Sequence, residues 1–512
     1  MSHAWAAVDL GVENGRIVVG RLDAGHISVR EVHRFANPVV RVEGTLRWNI
    51  RRLYGEIMAG LGAAARAFPG LASVAIDSWG ADFGLLDVDG KLLGDPFHHR
   101  DRRTDGIPAR LHGRVPEADF WAATGVLPTP SNTLYQLYAM LWRRSSTLYR
   151  AARLLLIPDL LGSWLCGVEV AEHTIASTTQ CYDIERRAWI ASLLGRAGIP
   201  VHLFPPVVTP ATVLGPVGVA PGRRAGLSGV QVVAAAGHEA ASAVAAIPAE
   251  VSSFAYLNAG ASSMVGTSTA TPVRTEAARR LGLTNEGGVD GTVCLHRKMA
   301  GLRLVQECRR AWARAGETLD EGALTALAAA GKRFQAVVDP DDPSLLAAEE
   351  MFSAVLTACA RTGQEVSGTR ADLLRIVLES LAWKYRRTVR DLETLLGRRL
   401  EVVHVIGEGA RNPLLCQLTA DACGRPVLAG PVEAAAIGNV LAQAVATGAC
   451  SSWSEARALV RASFPPTRYD PKDAAAWDEA AERMEPLLET GGRASSEPPA
   501  SPSLPSPTDP LQ

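Results

Sequence analysis

Glu239 is the acid in this 512-residue chain whose position best suits proton transfer. It follows the apolar run 230–236 and a glycine, and it precedes a stretch rich in Ala and Ser. A buried strand, a tight turn and a helix are therefore expected around it. A carboxylate at such a turn can accept the proton of an attacking hydroxyl during phosphoryl transfer. The helix dipole also favours an acid in this position, so the residues alone leave both interpretations open.

Asp9, Leu10 and Gly11 end the first expected strand and open a hairpin. A carboxylate there could hold a metal ion, and the exposed backbone amides of the turn could bind phosphate. An ordinary strand end explains the same residues. Arg16, just beyond the turn, fits either a phosphate ligand or a solvated strand residue.

Two further segments carry polar groups suited to a sugar. Gly80 and Asp82 lie in AIDSWGADFG, where they suggest either a close approach to a polyol or a β-turn with a capping acid. In the segment FHHRDRRTDG, sugar hydroxyls could be bound by His99, Arg100, Asp101 and Arg103. A solvated loop explains the same segment. The run from Gly407 to Ala410 could hold a flat adenine against bare backbone or could simply cap a strand.

The elements that must position these residues follow from apolar periodicity. The patterns predict a three-stranded meander, a covering helix and two short strands in the first half, over residues 6–10, 16–22, 27–35, 53–67, 74–76 and 83–86. A second strand and glycine turn near Phe254 repeats the opening and indicates an internal duplication. Later patterns predict a long amphipathic helix, a strand and two more helices, over 372–396, 402–406, 412–423 and 434–450.

Bulk composition limits the class of function. The length exceeds that of a single hydrophobic core, so two domains are expected. Lys and Arg number 52 against 53 Asp and Glu, which leaves no field to attract nucleic acid or a membrane surface. Eight scattered cysteines without a C-x-x-C pair predict reduced thiols, and the start of the chain lacks a secretory pattern, which predicts a cytoplasmic protein. The Ser- and Pro-rich end, 489–512, predicts a disordered tail.

Taken in order and spacing, several strings resemble the FGGY family of carbohydrate kinases over about residues 8–484. The strings are DLGVENGR, IDSWGADFG, RDRRTDG, PSNTLYQL, GHEAASAV, NEGGVDG with GLRLVQE, and GEGARNPLLCQLTADACGRPVLAGPVEAAAIGN. The resemblance implies two actin-like (ribonuclease H-like) α/β domains around a central cleft. It places the N-terminal domain at 1–246 and the C-terminal domain at 247–488. NEGG and AGPVEA favour the branch of the family that acts on L-rhamnulose.

The resemblance further implies that ATP with Mg²⁺ donates its terminal phosphoryl group to L-rhamnulose, giving L-rhamnulose 1-phosphate. Glu239 would be the catalytic base, and Asp9 would help to hold Mg²⁺. The sugar would contact Gly80, Asp82, Gly237, His238 and Ala240. The nucleotide would contact Asp9, Glu13, Asn14, Gly15, Arg16, Ala261, Lys298, Gln306, Gly407 and Gly409. Small molecules are thus the expected partners of a monomer or homodimer.

The sequence departs from the family pattern at several of these positions. The family usually has Asp at position 239, Thr at 240 and at 261, Asn at 298, Gly at 408, and small hydroxyl residues at 13 and 14; this chain has Glu239, Ala240, Ala261, Lys298, Glu408, Glu13 and Asn14. Most of these departures fall on the nucleotide side. They leave open a second interpretation, in which the chain is a sugar-binding or regulatory protein that has lost phosphoryl transfer. A filament or chaperone protein of actin-like architecture would leave the sugar-side strings unexplained.

Overall fold

The computed structural model describes residues 3–314, 316–348 and 350–493, with side chains up to residue 487. The chain divides into two compact units, each assembled from separate segments. The first unit comprises Met1–Pro248, Ser268–Leu295 and Glu433–Pro465, and the second comprises Ala249–Thr267, His296–Val432 and Pro466–Gln512. The domain boundaries at 246/247 and 488/489 remain sequence predictions.

The strands are numbered in chain order. They are β1 His3–Leu10, β2 Asn14–Asp23, β3 His26–Ala36, β4 Val39–Val42, β5 Thr45–Trp48, β6 Ser73–Asp77, β7 Phe83–Leu86, β8 Arg153–Leu156, β9 Ala171–Glu172, β10 Tyr182–Asp183, β11 Ala188–Trp189, β12 Val207–Val208, β13 Thr212–Pro216, β14 Gln231–Ala234, β15 Phe254–Ala259, β16 Ser262–Thr269, β17 Thr284–Gly287, β18 Val293–Ala300, β19 Val402–Ile406, β20 Val427–Ala429 and β21 Thr467–Tyr469.

The α-helices are numbered in the same way. They are α1 Ile50–Ala67, α2 Ile107–His112, α3 Glu117–Thr124, α4 Thr133–Trp142, α5 Ser146–Arg150, α6 Ile157–Cys166, α7 His173–Ser177, α8 Ala191–Ala197, α9 Val219–Ala225, α10 Glu239–Ala245, α11 Glu276–Arg280, α12 Arg303–Arg314, α13 Glu321–Ala329, α14 Pro343–Leu346, α15 Met351–Arg361, α16 Arg370–Leu396, α17 Pro413–Cys423, α18 Ala434–Ala446, α19 Trp453–Ser463 and α20 Ala474–Arg493.

The main sheet of the first unit has the strand order β13-β14-β6-β1-β2-β3. Strands β1, β6 and β14 are parallel, whereas β2 and β3 continue from β1 as an antiparallel meander and β13 pairs antiparallel with β14. The parallel strands are buried along nearly their whole length because helices cover them. Their carboxyl ends therefore lie together at one edge, where open α/β sheets bind ligands.

The sheet of the second unit repeats this arrangement. Strands β15 and β16 form an antiparallel hairpin, β15 is parallel to β19, β19 is parallel to β20, and β20 pairs antiparallel with β21. The order β16-β15-β19-β20-β21 thus matches β2-β1-β6-β14-β13 of the first unit, strand for strand and direction for direction. The internal duplication predicted from the two glycine turns is confirmed at the level of topology.

Helix α18 belongs to the first unit although it lies near the end of the chain. It packs against α10 so closely that a Cβ on Gly438 would lie 1.7 Å from the carbonyl oxygen of Ser242. A Cβ on Gly20, in β2, would in turn lie 2.5 Å from the side chain of Val440. Glycine at both positions is required by close packing. The buried helix predicted over 434–450 is confirmed, with its end at Ala446.

The cysteine prediction is confirmed, since all eight are free thiols, and seven of them are buried. Within the described residues, no helix combines the length and the apolar character needed for a membrane span. Helix α20 runs to Arg493 and so includes the first residues of the predicted tail, whereas 494–512 lie outside the described residues.

Candidate active site

Two carboxylates stand side by side at the carboxyl edge of the first sheet. Asp9 and Asp77 are register partners in the parallel pairing of β1 and β6. Asp9 is 7% exposed and Asp77 is fully buried. Asp77 belongs to the quoted string IDSWGADFG, but sequence reasoning did not identify it as a site residue.

Burial raises the pKa of Asp77 well above its ordinary value, and the charges of Asp9 and Glu239 raise it further. Its Oδ2 accepts a hydrogen bond of 2.6 Å from the side-chain amide of Asn439, which acts in the opposite direction. Its Oδ1 is buried and has no hydrogen-bond partner among the described residues. Three carboxylates, at the ends of β1 and β6 and the start of α10, therefore share one electrostatic environment.

Arg16 is paired with the first of these carboxylates. Its Nε and Nη2 donate to Oδ2 of Asp9 at 2.9 and 2.7 Å, and its Nη1 donates to Glu433, just before α18. Burial by itself lowers the pKa of a guanidinium, but Asp9 and Glu433 together raise that of Arg16 above its ordinary value. The structure thus places Arg16 as an ion-pair partner of Asp9, and its role toward a nucleotide stays a prediction.

The loop that carries Glu239 is joined to the end of β6. Ser78 donates its backbone N–H to the carbonyl of Gly237 at 2.9 Å and accepts the N–H of Glu239 at 2.9 Å. Helix α10 begins at Glu239, which is half-buried, while Ala240 is buried. The helix dipole favours the ionised form of a carboxylate in this first turn.

His238 faces an acid from the NEGG segment. Its Nδ1 lies 3.1 Å from Oε2 of Glu286, an ion-pair separation, although the two atoms lack the alignment of a hydrogen bond. Both residues are buried. Glu286 lies on β17, and sequence reasoning used its segment for the family resemblance without assigning this residue to the site.

Gly80 lies where the chain makes a close approach. A Cβ at this position would be 2.8 Å from Oγ1 of Thr178, and the same hydroxyl accepts the N–H of Ala81 at 3.2 Å. A side chain at Gly80 would therefore displace Thr178. Packing against Thr178 accounts for glycine at this position, and the approach of Gly80 to a sugar stays a prediction.

Asp82 organises a cluster of rings. Its carboxylate accepts five hydrogen bonds, from the indoles of Trp48 and Trp79 at 2.7 and 3.0 Å, the amide of Gln136 at 2.9 Å, and the backbone N–H and Nδ1 of His99 at 3.2 and 2.9 Å. Burial opposes ionisation, but these bonds, with His99 foremost, lower the pKa of Asp82 below its ordinary value. Since protein donors occupy the carboxylate, a direct bond from Asp82 to a sugar stays a prediction.

The segment RDRRTDG is packed at three of its seven residues, Asp101, Arg103 and Thr104, and exposed at the other four. Asp101 and Arg103 are buried, and the Asp101 carboxylate accepts the backbone N–H of Leu46 at 2.7 Å. The guanidinium of Arg103 lies 3.9 Å from the ring centre of Phe97, and burial lowers its pKa to about 10. The interpretation as a solvated loop is therefore wrong for these two residues, although Arg100 is exposed.

In the second unit, three of the predicted nucleotide residues, Ala261, Gly407 and Gly409, lie at the end of β15. A Cβ on Gly409 would lie 2.3 Å from Cβ of Ala259, and one on Gly407, whose φ is 77°, would lie 2.9 Å from Oδ1 of Asn258. On the same turn, the carbonyl of Ala261 accepts the N–H of Arg303 at 3.1 Å. Packing against the end of β15 accounts for both glycines, and the role of these turns toward a nucleotide stays a prediction.

The remaining predicted nucleotide residues have various settings. Gln306 is half-buried on α12, whereas Lys298, Ala261, Glu408, Glu13 and Asn14 are exposed. Gly15 is buried beside Phe35, and a Cβ on Gly15 would lie 2.5 Å from the Phe35 ring. Packing alone accounts for that glycine. The role of these residues in binding a nucleotide stays a prediction.

Comparison with known proteins gives matches along nearly the whole chain. Sequence models of the FGGY family of carbohydrate kinases match residues 4–245 for the N-terminal domain and 255–447 for the C-terminal domain. A rhamnulokinase of Bacteroides thetaiotaomicron is 38% identical over 480 residues, covering 94% of this chain and 98% of that protein. A rhamnulokinase of Pectobacterium carotovorum is 36% identical and covers 91% of this chain and 92% of that protein.

Solved structures match the fold. Gluconate kinase from Lactobacillus acidophilus superposes with a TM-score of 0.80 at 17% identity, covering 97% of this chain and 100% of that chain. Plasmodium falciparum glycerol kinase with ADP gives a TM-score of 0.76 at 13% identity, covering 94% and 98%. The two-domain, actin-like α/β fold predicted from the sequence is confirmed by these matches.

Proposed function

The chain belongs to the FGGY family of carbohydrate kinases, and we propose that it transfers the terminal phosphoryl group of ATP to L-rhamnulose, giving L-rhamnulose 1-phosphate. Phosphorylation of a sugar follows from the family itself. The choice of L-rhamnulose rests on the name shared by the curated relatives, which match this chain over more than nine-tenths of its length. The NEGG and AGPVEA segments support the same choice.

The observation that carries the proposal is the position of Glu239 at the start of α10, within the electrostatic reach of Asp77 and beside the end of β6. In the proposed step, the carboxylate of Glu239 accepts the proton of a sugar hydroxyl. The sugar oxygen then forms a bond to the γ-phosphorus of ATP, and the bond from that phosphorus to the β–γ bridging oxygen breaks, so that ADP leaves. Glu239 holds the proton until it passes to solvent.

The residues at the sheet edge suit Mg²⁺. This ion prefers carboxylate oxygens, and it commonly binds through one or two of them together with water and substrate phosphates. Asp9 lies at this edge, and the neighbouring Asp77 has a buried oxygen without a partner among the described residues. We propose that Asp9 holds the ion, with Asp77 supporting it. When bound, Mg²⁺ neutralises charge on the phosphates.

Residues around Glu239 are proposed to bind the sugar. Gly80 keeps the backbone free of a side chain beside Thr178, and Gly237, His238 and Ala240 surround the base. We also propose that Asp82 orients its neighbours, because its hydrogen bonds fix the side chains of Trp48 and His99. ATP is assigned to the residues predicted from the sequence, with the turns at Ala261 and Gly409 in the second unit as the central contacts.

A second candidate is a protein of the same fold that binds sugar without phosphoryl transfer. Three substitutions on the nucleotide side favour it. Glu13 and Glu408 add exposed acids where the family has small residues, and Ala261 lacks a hydroxyl. A like charge near a phosphate costs on the order of 4 kcal/mol at close range and intermediate dielectric.

The test is a turnover assay with ATP, Mg²⁺ and a panel of acceptors: L-rhamnulose, D-xylulose, D-gluconate and glycerol. We expect kcat/KM for L-rhamnulose to exceed that of each other acceptor by about 100-fold, since a site that hydrogen-bonds substrate hydroxyls rejects acceptors with a different arrangement. Phosphorus NMR should place the phosphate on C1. Turnover with another acceptor alone would overturn the substrate, and calorimetric sugar binding without any turnover would favour the second candidate.

A further inference from the structure

We infer that Glu172 and Thr174 are positioning residues for the base, because they bind two consecutive backbone amides of the loop that ends in Glu239. The inference rests on the proposed function, in which Glu239 accepts the proton. Neither residue was singled out from the sequence. They lie at the end of β9 and in α7, more than sixty positions before the loop that they contact.

Glu172 is a buried acceptor shared by two chain segments. It is 1% exposed. Its Oε2 accepts the N–H of Gly237 at 2.8 Å, the hydroxyl of Thr174 at 2.6 Å and the N–H of Ile175 at 3.2 Å. Its Oε1 accepts the N–H of Thr174 at 2.9 Å. One of the four donors belongs to Gly237 and the other three to α7, so the carboxylate connects Gly237 to the start of that helix.

Thr174 extends this contact to the next residue. Its hydroxyl donates to Glu172, which leaves its oxygen free to accept, and it accepts the N–H of His238 at 3.1 Å. The direction of both bonds is fixed, because the N–H of His238 can only donate and Oε2 of Glu172 already accepts two backbone N–H groups. The loop therefore meets an ordered pair of acceptors at two adjacent amides.

The same loop is held from its other side by β6. Ser78 contacts the carbonyl of Gly237 and the N–H of Glu239, each at 2.9 Å. The backbone from 237 to 239 is thus bound between the end of β6 and the start of α7. Glycine at 237 fits this position, since a Cβ would lie 3.0 Å from Oε2 of Glu172 and 3.4 Å from Cγ2 of Ile175.

A further acid lies behind this contact. Asp159 accepts the backbone N–H of Glu172 at 3.2 Å, and its other oxygen is buried without a partner among the described residues. Both acids line a small cavity beside Gly237. Burial first, and then the charge of Glu172, raises the pKa of Asp159 well above its ordinary value. Asp159 therefore binds the backbone of the residue whose side chain holds Gly237.

The consequence for catalysis is a matter of distance. A base displaced by about 1 Å can cost on the order of 100-fold in rate, even when substrate binding persists. Loosening the amides of Gly237 and His238 would let Glu239 move in this way. Gly237 and His238 are also proposed sugar contacts, whereas Gly80 lies on a separate segment. A shift of about 1 Å at the end of the loop acts mainly on proton transfer, so KM for the sugar should change much less than kcat.

A matched pair of substitutions at Thr174 tests the inference. Thr174→Val removes the hydroxyl and keeps the branched shape, whereas Thr174→Ser keeps the hydroxyl. We expect Thr174→Val to lower kcat about 10- to 100-fold with KM for L-rhamnulose within about 3-fold, and Thr174→Ser to stay within about 3-fold of the parent. Equal losses in both variants would overturn the inference, since they would trace to packing rather than to the hydrogen bond.

A double-mutant cycle separates positioning from general damage. In a Glu239→Gln background no strong base remains to be positioned, so adding Thr174→Val should lower the residual kcat by less than about 3-fold. The same fold-loss in both backgrounds would show that Thr174 acts independently of Glu239 and would contradict the inference.

Amide hydrogen exchange gives a readout that does not require turnover. In Thr174→Val, peptides covering 236–241 should exchange at least about 10-fold faster than in Thr174→Ser, while the β1 strand keeps its protection. Unchanged exchange in both variants would overturn the inference whatever the activity. An inactive parent protein with this exchange pattern would contradict the proposed function and leave the contact established.

Discussion

The side-chain amide of Asn439 donates a hydrogen bond of 2.6 Å to the buried carboxylate of Asp77, across 362 positions of sequence. Its own oxygen accepts from Gln443 at 2.8 Å, and Gln443 in turn accepts the hydroxyl of Ser73 at 2.7 Å. A helix from near the end of the chain thereby completes the polar environment beside the first sheet. The acid next to Asp9 depends on this helix for its only amide donor among the described residues.

Substitution of Asn439 by Ala should destabilise the protein. Oδ1 of Asp77 already has no partner among the described residues, and the variant would remove the donor to Oδ2 as well. Leaving a buried acceptor unsatisfied costs about 1–3 kcal/mol of unfolding free energy. Urea unfolding at pH 7 measures this loss. Gln231→Ala is the control, since that half-buried amide donates to the nearby Gly229 carbonyl at 3.3 Å; a loss no larger than the control's would contradict the account.

Gly438→Ala should separate α18 from α10. The added Cβ would lie 1.7 Å from the carbonyl oxygen of Ser242, so the helices must move apart, at a cost of about 3 kcal/mol or more. Gly55→Ala is the matched control, because its added Cβ, in the interior of α1, meets no atom within 4 Å. That variant should stabilise by about 0.5–1 kcal/mol, since alanine is the better helix former. Similar melting temperatures for the two variants would count against the observed helix packing.

Local patterns predicted the elements that carry the site, but not the contacts between distant ones. The strand expected over 402–406 is observed as Val402–Ile406, because an apolar run bounded by glycine has a clear local signature. The run 230–236 forms a shorter strand, Gln231–Ala234, since its last two residues leave the sheet for the glycine turn. Asn439 gave no such signal. A lone amide in an apolar helix does not reveal an acid 362 residues away.

Charged segments were the hardest to interpret. Arg103 reads as a solvated residue because its neighbours in sequence are polar, yet it is buried between the ring of Phe97 and the amide oxygen of Gln136. Glu172 likewise precedes a short helix with no marked pattern, and its partner at Gly237 is 65 residues away. Burial of charge is decided by partners from other segments, which single-sequence periodicity does not contain.

The pH dependence of stability should reflect Glu172. Burial raises the pKa of this carboxyl from its ordinary 4.5 to about 7, despite four hydrogen bonds that oppose the shift. The folded state then binds the proton more tightly than the unfolded state, so the contribution to stability is fully present below about pH 4.5 and is lost as pH rises through 7. The loss is on the order of 3 kcal/mol.

Glu172→Gln should therefore show a smaller fall in unfolding free energy between pH 4.5 and pH 8 than the parent protein. Urea unfolding of both proteins at the two pH values measures the difference. Comparing the fall in unfolding free energy within each protein removes any effect of the substitution that is the same at both pH values. Asp159, whose pKa is raised in the same direction, contributes to the fall in both proteins. Equal falls in parent and variant would show that Glu172 keeps an ordinary pKa in the folded state.

The central claim is that Glu239 accepts the proton of the sugar hydroxyl. The most direct measurement is L-rhamnulose-dependent release of ADP by the parent protein, Glu239→Gln and Glu239→Asp, with sugar affinity from calorimetry. Glu239→Gln keeps the size of the side chain and removes the acceptor, so kcat should fall by about 100- to 10,000-fold with little change in sugar affinity. Glu239→Asp should change kcat in either direction, because it moves the carboxylate by roughly 1.5 Å. Equal, negligible turnover in all three proteins with intact sugar binding would contradict the claim.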